Sequence, residues 1–322
     1  MKRKSSIIIP VYNRPDELDE LLESLTRQSY TSFEVIVVED GSRTPCDRVV
    51  EKYIHDLEIS YCVKKNEGQG FARNYGYERA TGDYYIVFDS DCIIPPHYLE
   101  EVNKYLDQQP LDAFGGPDRA HPSFTPIQQA ISYSMTSLFT TGGTRGHVKG
   151  IGPFHPRSFN MGISPEVYKK TGGYILPFKG EDIEFSIRIM NNGFKTGLIP
   201  EAYVYHKRRT SWIKFFQQLH FFGMARINIS RYFPGQLKPA HFFPLVFTLG
   251  FLLMVTTLPF ANMFSAALLV LYLLYALILL LDSFLHLKNI KMALMSVFAG
   301  FIQLFAYGTG FFQEGIKKIL KG

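Results

Sequence analysis

The chain has 322 residues, of which 46% are hydrophobic and 20% are charged, and its formal net charge is +5. This composition excludes a disordered polyelectrolyte, and the length leaves room for one domain of ordinary size and a further segment. The cysteines Cys46, Cys62 and Cys92 are odd in number and lack metal-ligand spacing, which favours reduced thiols over a disulfide framework.

Strand and helix patterns alternate from the N-terminus to about residue 88. The β-branched runs at 6–11 and 33–38 predict buried strands, with a helix between them that opens at Pro15. The pattern continues with a helix near 47–55, a strand at 59–63, a helix at 71–80 and a strand at 84–88. This alternation indicates a Rossmann-like α/β domain with a mostly parallel central sheet, whose strand C-termini carry the functional loops.

Two acids follow the last of these strands, in the triplet Asp89-Ser90-Asp91. Carboxylates at the C-terminal end of a buried strand lie where α/β sheets bind ligands, and paired hard oxygen ligands suit Mg²⁺ or Mn²⁺. The other interpretation is a solvated Asp-rich turn without a metal.

The middle of the chain is less regular. Residues 115–163 are rich in Gly, Pro, Ser and Thr, with a predicted helix at 127–139 and glycine runs at 142–146 and 150–152. A long loop of this kind is typical of a lid or binding segment, and disorder is the alternative. Gly180-Glu181-Asp182 then opens a helix, in which the acids have either a catalytic role or only a capping one.

From about residue 239 the composition is that of a membrane domain. The runs 242–260 and 263–281 are each close to the ~20 apolar residues that span a bilayer. The run 292–312 is diluted by glycines and Gln303, so a spanning, re-entrant or interfacial helix remains open. We divide the chain into a domain at 1–210, an amphipathic interfacial segment at 211–238 and a membrane domain at 239–322.

Charged residues suggest an orientation in the membrane. The basic start is followed by too short an apolar run for a signal peptide, so we expect the first domain in the cytosol of a cell with an inner membrane. Basic residues before the first span and between the second and third would then be cytosolic, as the positive-inside rule requires. Lys317, Lys318 and Lys321 conflict with this rule if the third run crosses.

Five segments, taken in order, resemble the motifs of family-2 glycosyltransferases. They are Ile7–Arg14, Val37–Ser42, Asn66–Asn74, Phe88–Asp91 and Gly180–Asp182. The resemblance spans about residues 5–210, and an ordered set is far more specific than any single motif. It implies a GT-A fold, a nucleotide-diphosphate-sugar donor, with UDP-sugar the first choice, and inverting transfer.

The resemblance also assigns roles to individual residues. Asp40 would accept a hydrogen bond from the nucleobase, and Arg73 would meet diphosphate oxygens. Asp91, with Asp89 and possible help from His206, would hold Mg²⁺ or Mn²⁺. The donor-binding residues implied are Pro10, Tyr12, Asn13, Asp40, Asn66, Gly68, Arg73, Asp89 and Ser90.

An inverting transfer requires a base that takes the proton of the acceptor hydroxyl. The resemblance gives this role to Asp182, with Glu181 as the alternative base or as an acceptor-orienting group. Gln218 and Arg226 belong to the interfacial segment, where relatives place groups near the diphosphate; simple anchoring to anionic lipid is the alternative.

The sequence therefore predicts a membrane-anchored enzyme that transfers a sugar to a lipid-linked glycan or another cell-envelope acceptor, with membrane lipid but no nucleic acid as a partner. Transfer to a polyprenyl phosphate is the second hypothesis, and a catalytically silent nucleotide-binding scaffold is the third. Few apolar runs and no charged pair within them disfavour a transporter. Processive synthesis is disfavoured because Gln217-Gln218 is not followed by Arg-x-x-Arg-Trp.

Overall fold

A computed structural model describes residues 3–142, 154–260 and 263–320, and these residues form two compact units. The first unit comprises 3–121 and 154–207, and the second comprises 122–142, 208–260 and 263–320. The second unit thus includes a segment that the sequence division assigned to the first domain. Most of the glycine runs predicted to form a binding loop, at 143–153, lie outside the described residues.

The strands of the described residues all belong to the first unit. In chain order they are β1 (Ser5–Val11), β2 (Phe33–Asp40), β3 (Ile59–Lys64), β4 (Tyr84–Phe88), β5 (Cys92–Ile93), β6 (Ala113–Gly115), β7 (Asp118–Arg119), β8 (Asn160–Ile163), β9 (Thr196–Leu198) and β10 (Val204–His206).

The helices are divided between the two units. In the first unit they are α1 (Pro15–Thr26), α2 (Asp47–Glu51), α3 (Gln69–Tyr77), α4 (Tyr98–Gln108), α7 (Pro165–Thr171) and α8 (Glu181–Asn191). In the second unit they are α5 (Pro126–Thr136), α6 (Leu138–Thr141), α9 (Trp212–Tyr232), α10 (Phe243–Thr257), α11 (Met263–Leu287) and α12 (Ile290–Leu320).

The central sheet of the described residues has the strand order β3-β2-β1-β4-β8-β6-β9. The pairs β3–β2, β2–β1, β1–β4 and β6–β9 are parallel, and β8 runs antiparallel to β4 and β6. The predicted mostly parallel sheet is therefore confirmed. A smaller sheet has the order β5-β10-β7.

Both faces of the central sheet are covered, which explains the continuous apolar runs of its strands. Ile7 and Ile9 pack on one face with leucines of α1 and with residues of α4, whereas Ile8 packs on the other face with residues of α7 and α8. All three isoleucines are fully buried. The order β2-β1-β4 brings the C-terminal ends of these strands to one edge, where the predicted site residues lie.

The second unit is entirely helical among the described residues. Its core combines α5, α9 and α12, through the buried residues Ile131, Met135, Phe215, Leu219, Ala299 and Ala306. The predicted helix at 127–139 ends early, because Ser137 has an extended backbone and caps the short α6 that follows.

Three segments of the second unit are long and apolar enough to cross a membrane: Pro239–Phe260, Met263–Leu287 and Ile290–Leu320. They confirm the three apolar helices predicted from the sequence. The second is longer than the predicted run because it continues through Asp282, whose carboxylate accepts a hydrogen bond from Tyr133 Oη at 2.5 Å.

Candidate active site

The acid triplet lies in the turn that joins β4 to β5. Asp91 Oδ2 accepts a hydrogen bond from Arg14 Nη1 at 2.6 Å, and its Oδ1 lies 3.0 Å from His206 Nε2. The antiparallel pair of Cys92 and His206 in β5 and β10 brings the imidazole to this place, and Arg14 immediately precedes α1. Asp91 is thus held between two basic groups contributed by distant parts of the chain.

The surroundings of Asp91 fit a divalent cation. Asp91, Cys92 and His206 each offer one ligand atom, and these atoms lie within 4.8 Å of one another. The carboxylate and the imidazole can coordinate Mn²⁺ or Mg²⁺. The Cys92 thiol instead donates to the backbone oxygen of Phe159 at 3.6 Å and is the softer ligand, so Asp91 and His206 are the better pair.

Arg73 connects the acid triplet to the start of α8. Its guanidinium is buried and donates to Asp89 Oδ1 at 2.8 Å and to Glu181 Oε1 at 3.1 Å. It also lies over the ring of Tyr174, 5.3 Å from the centroid. Burial alone would lower the pKa of Arg73, but the surrounding groups, with Asp89 foremost, raise it above its ordinary value, so the guanidinium stays charged.

Glu181 and Asp182 are adjacent but have different environments. Glu181 is buried and accepts hydrogen bonds from Arg73 and from Gln69, and its pKa is raised chiefly by burial, against the opposing charge of Arg73. Asp182 is half-buried; its Oδ1 accepts the backbone N–H of Ile183 at 2.8 Å, and its Oδ2 lies 3.4 Å from Arg157 Nη1. Of the two acids, Asp182 is the one whose carboxylate a second molecule can reach.

Asp40, at the end of β2, organises the loop that precedes α3. Its carboxylate accepts hydrogen bonds from Lys64 Nζ at 3.0 Å and from the backbone N–H groups of Glu67 at 3.1 Å and Gly68 at 2.9 Å. Its backbone oxygen accepts a hydrogen bond from Asn66 Nδ2 at 2.8 Å. A carboxylate has about four lone-pair sites, and the described residues use three of them, so the buried Asp40 keeps capacity for one further hydrogen bond.

Gly68 has a conformation that few other residues could adopt. Its φ of +100° lies in the left-handed region, and a Cβ at this position would meet Pro177. The residue therefore allows the loop that holds Asp40 to pass directly against the segment before α8.

The loop after β1 completes this edge of the sheet. Tyr12 is about half exposed, and Val11, which precedes it, pairs with Glu39, the neighbour of Asp40. Asn13 has a φ of +53°, and its Oδ1 accepts the backbone N–H of Arg43 at 2.7 Å. Pro10 lies within β1, and Ser90 is buried in the acid triplet.

Gln218 and Arg226 lie on α9 in the second unit, and both are half-buried. Their contact with a diphosphate stays a prediction.

Sequence reasoning missed three side chains that contact predicted site residues: Arg14 on Asp91, Arg157 on Asp182 and Lys64 on Asp40. The signal for Arg14 was its place at the end of the first motif, and no local pattern singles out Arg157.

The comparisons with known proteins agree with this geometry. Residues 6–172 match the sequence model described as Glycosyl transferase family 2, which is slightly more than half of the chain. An uncharacterized glycosyltransferase of Haemophilus influenzae is 29% identical over 216 residues, or 64% of this chain and 70% of that protein. The poly(ribitol-phosphate) beta-N-acetylglucosaminyltransferase TarS of Staphylococcus aureus is 34% identical over 113 residues, or 34% of this chain and 20% of TarS.

Among solved structures, the mannosyltransferase PcManGT of Pyrobaculum calidifontis, in complex with GDP-Man and Mn²⁺, has a similar fold. The TM-score is 0.59 at 17% identity, over 97% of this chain and 88% of PcManGT. In sequence, this chain matches less than a quarter of the length of the first curated relatives, which are uncharacterized glycosyltransferases of Rickettsia species.

The fold of the first unit is therefore GT-A-like, an α/β domain with a mostly parallel central sheet, and the chain continues into apolar C-terminal helices. On the family match, the chain belongs to glycosyl transferase family 2.

Proposed function

We propose that this chain is a membrane-anchored, inverting glycosyltransferase that moves a sugar from a nucleotide-diphosphate-sugar to a hydroxyl of a lipid-linked glycan or another cell-envelope acceptor. One observation carries the proposal: Asp40 ends β2, and Asp89 and Asp91 follow β4, so these acids lie at the C-terminal ends of the two strands that flank β1. Arg73 of α3 pairs with both Asp89 and Glu181, the residue next to Asp182. A donor site and a candidate base are thereby connected through Arg73.

The donor would bind along the strand ends. Tyr12 offers an exposed ring for stacking on a nucleobase, and Asp40 has acceptor capacity for one base N–H. We favour a UDP-sugar as donor; TarS and PcManGT, which share the fold, have been solved with UDP-GlcNAc and GDP-Man, respectively. Asn13, Asn66, Gly68, Ser90 and Pro10 would shape the same pocket.

Asp91 and His206, with Asp89 nearby, would hold Mg²⁺ or Mn²⁺. The ion would supply positive charge that stabilises the departing diphosphate. Arg14 and Arg73 would add charge of the same sign at the same place, because both already donate to the acids of the triplet.

Asp182 Oδ2 would take the proton of the acceptor hydroxyl as that oxygen attacks the anomeric carbon. Arg157 would hold the carboxylate in place. Glu181 would position Arg73 and the first turn of α8 instead of acting as a base, since its carboxylate is buried and already bonded.

The three apolar helices support a location in the inner membrane, with the first unit in the cytosol. They also favour the second candidate, transfer to a polyprenyl phosphate, because a lipid acceptor would lie in the same membrane.

The first experiment measures donor use. Full-length protein in detergent is incubated with UDP-, GDP- and dTDP-sugars and Mn²⁺ or Mg²⁺, and release of nucleoside diphosphate is recorded. We expect one donor to be hydrolysed by the wild type and by Asp56→Asn, an exposed-acid control, but not by Asp91→Ala. Release of nucleoside diphosphate from none of these donors would refute the proposed function, and hydrolysis unaffected by Asp91→Ala would refute the metal site.

The second experiment separates the two acceptors. For a hydroxyl acceptor, Asp182→Asn should lower the transfer rate about 10²–10⁴-fold, the usual contribution of a general base. A lipid phosphate is already ionised, so its transfer should keep its rate in this variant. Glu166→Gln is the matched control, because Glu166 is an exposed acid in the first turn of α7.

A further inference from the structure

The path of α12 through the second unit bears on whether it crosses a bilayer. α10 and α11 form an antiparallel hairpin, in which Tyr272 Oη donates to the backbone oxygen of Phe247 at 2.6 Å and the Tyr272 ring lies 5.4 Å from that of Phe251. Since the two helices are joined by only a few residues, the start of α10 and the end of α11 lie on one side, which we call the base of the hairpin. The end that carries Phe260 and Met263 is its tip.

Both ends of α12 contact the base. Near its start, Ser283 Oγ of α11 donates to the backbone oxygen of Ala293 at 3.4 Å. Near its other end, the ring of Phe311 lies 5.0 Å from that of Phe242, the residue before α10. Between these points the backbone passes close enough to α10 that a Cβ on Gly308 would meet the backbone oxygen of Pro244.

The deepest contacts of α12 lie midway along the hairpin. Phe301 packs against Tyr275 at 5.9 Å, and Phe305 packs against Phe251 at 4.9 Å. From Ala293 to Phe311 a helix is about 27 Å long, close to the ~30 Å of a hydrocarbon core. A spanning α12 would therefore put these two residues on opposite sides, whereas their neighbours Ser283 and Phe242 lie on the same side.

The far end of α12 continues along α9, the helix that leads the chain towards α10. Glu314 Oε1 lies 2.8 Å from Arg231 Nη2, and Lys318 Nζ donates to Ser230 Oγ at 3.0 Å. α9 and α12 also approach closely at Gly223, where a Cβ would meet the backbone oxygen of Tyr307. The two helices thus run side by side at the base.

We propose that α12 does not cross the membrane but lies in the interface of an anionic bilayer, on the side from which the chain enters α10. From Phe242 to Phe260 the hairpin is about 27 Å long, enough to span alone. Exposed apolar residues of α12 would face the acyl chains; they are Ile290, Leu294, Phe298, Phe312, Ile316 and Ile319.

Charge at both ends of α12 favours a lipid head-group partner. Lys288 and Lys291 lie at its start, and Lys317 and Lys318 lie in its last turns. In an interfacial helix all four lysines reach anionic head groups on one side, which agrees with the positive-inside rule. The conflict that the sequence raised for Lys317 and Lys318 then disappears.

The test is a topology measurement on the full chain that does not depend on the proposed activity. A protease-cleavable tag is added after Gly322, and a single cysteine is introduced as Gly235→Cys or Met263→Cys. Right-side-out and inside-out vesicles are treated with a membrane-impermeant maleimide, and each labelled peptide is identified by mass. Gly235 has open space for a side chain and precedes α10, and Met263 is highly exposed at the tip.

We expect complete removal of the tag in the vesicle orientation that labels Gly235→Cys, and none in the orientation that labels Met263→Cys. Removal of the tag together with Met263→Cys labelling would overturn the proposal.

A second measurement uses the native Trp212, the single tryptophan of the chain, which lies 5.2 Å from Phe298 of α12. Its fluorescence reports how deep this part of α12 lies in the bilayer. Lipids with shallow bromines should quench it about twofold more than lipids with deep bromines; the reverse order, or no quenching, would contradict an interfacial helix.

Discussion

Asp91 has two basic partners with opposite effects on metal binding: His206 supports it and Arg14 opposes it. His206 can share a cation with Asp91, whereas Arg14 occupies Asp91 Oδ2 with its own charge. A cation that binds Asp91 Oδ1 beside His206 would therefore lie near the Arg14 charge, which competes with it for the same carboxylate. This competition is a property of the side chains alone and can be measured without a donor.

Arg14→Ala should raise the affinity for Mn²⁺ in the absence of donor about 10- to 150-fold, because a hydrogen bond to a charged group contributes about 1.5–3 kcal/mol. Binding is measured by electron paramagnetic resonance of free Mn²⁺. Arg27→Ala, which removes a surface arginine paired with Glu23, serves as the control and should leave the affinity unchanged. Weaker binding in Arg14→Ala would show that Arg14 supports the metal instead.

The buried Arg73 is the residue on which two site acids depend. Arg73→Met should destabilise the protein by about 3–5 kcal/mol at neutral pH, the usual cost of removing one partner of a buried ion pair. Arg79→Met, at an exposed arginine just after α3, is the control. Stability is measured by chemical unfolding in detergent, and an equal loss in both variants would contradict the role given to Arg73.

The same variant predicts a pH dependence. Burial raises the pKa of Glu181 above its ordinary 4.5, and Arg73 opposes that rise. Without Arg73 the folded state binds the Glu181 proton more tightly than the unfolded state, so stability falls as pH rises from about 4.5 through the raised pKa. The deficit of Arg73→Met relative to wild type should therefore be smaller at pH 5 than at pH 8; a deficit independent of pH would contradict this.

At the scale of secondary structure, the contact of α9 with α12 depends on small residues. The sequence predicted α9 as an interfacial helix from its basic and aromatic residues. In the structure its Gly223 faces the backbone of α12 at Tyr307, and Gly310 of α12 faces the backbone of α9 at His220. Two helices approach this closely where a glycine on one helix leaves room for the backbone of the other.

Gly223→Ala should destabilise the helical unit by about 1–3 kcal/mol, the usual cost of overpacking. Gly315→Ala is the matched control, because a Cβ there would have no neighbouring atom of another described segment within 4 Å, and alanine favours a helix by about 0.8–1.0 kcal/mol. Thermal unfolding in detergent should therefore move in opposite directions for the two variants. A stabilised Gly223→Ala would mean that α9 and α12 can separate without cost.

At the scale of the whole molecule, the segment 122–142 belongs to the second unit, although along the chain it lies between β7 and β8 of the first unit. The sequence division placed it inside the first domain, and its position between β7 and β8 supports that reading locally. The structure instead packs Ile131 and Met135 of α5 against Phe215 and Leu219 of α9 and against alanines of α12. The apolar face of α5 therefore needs the C-terminal helices.

This packing predicts that a chain of residues 1–210 aggregates, because it would expose the apolar face of α5 to water. The fraction remaining in the supernatant after ultracentrifugation measures the effect. The same truncation with Ile131→Gln and Met135→Gln should be more soluble. A soluble, monomeric 1–210 without these substitutions would instead support the boundary drawn from the sequence.

The sequence by itself determined the strands β1 to β4, the helices between them, the acids at the strand ends and the three apolar helices. These features follow from local periodicity and from residue type, which a single segment carries. Asp40 and Asp91 could be located because the C-terminal ends of parallel strands meet at one edge of a sheet.

The tertiary structure alone decided which distant groups meet. Arg14 reaches Asp91 across 77 residues, Arg73 joins Asp89 to Glu181, and α5 packs with helices that begin far beyond it. Apolar composition likewise predicts that α12 contacts lipid but not whether it crosses or lies flat, because both placements bury the same side chains. The proposal that α12 lies flat rests on the contacts of its two ends with the base of the hairpin, which no local sequence pattern encodes.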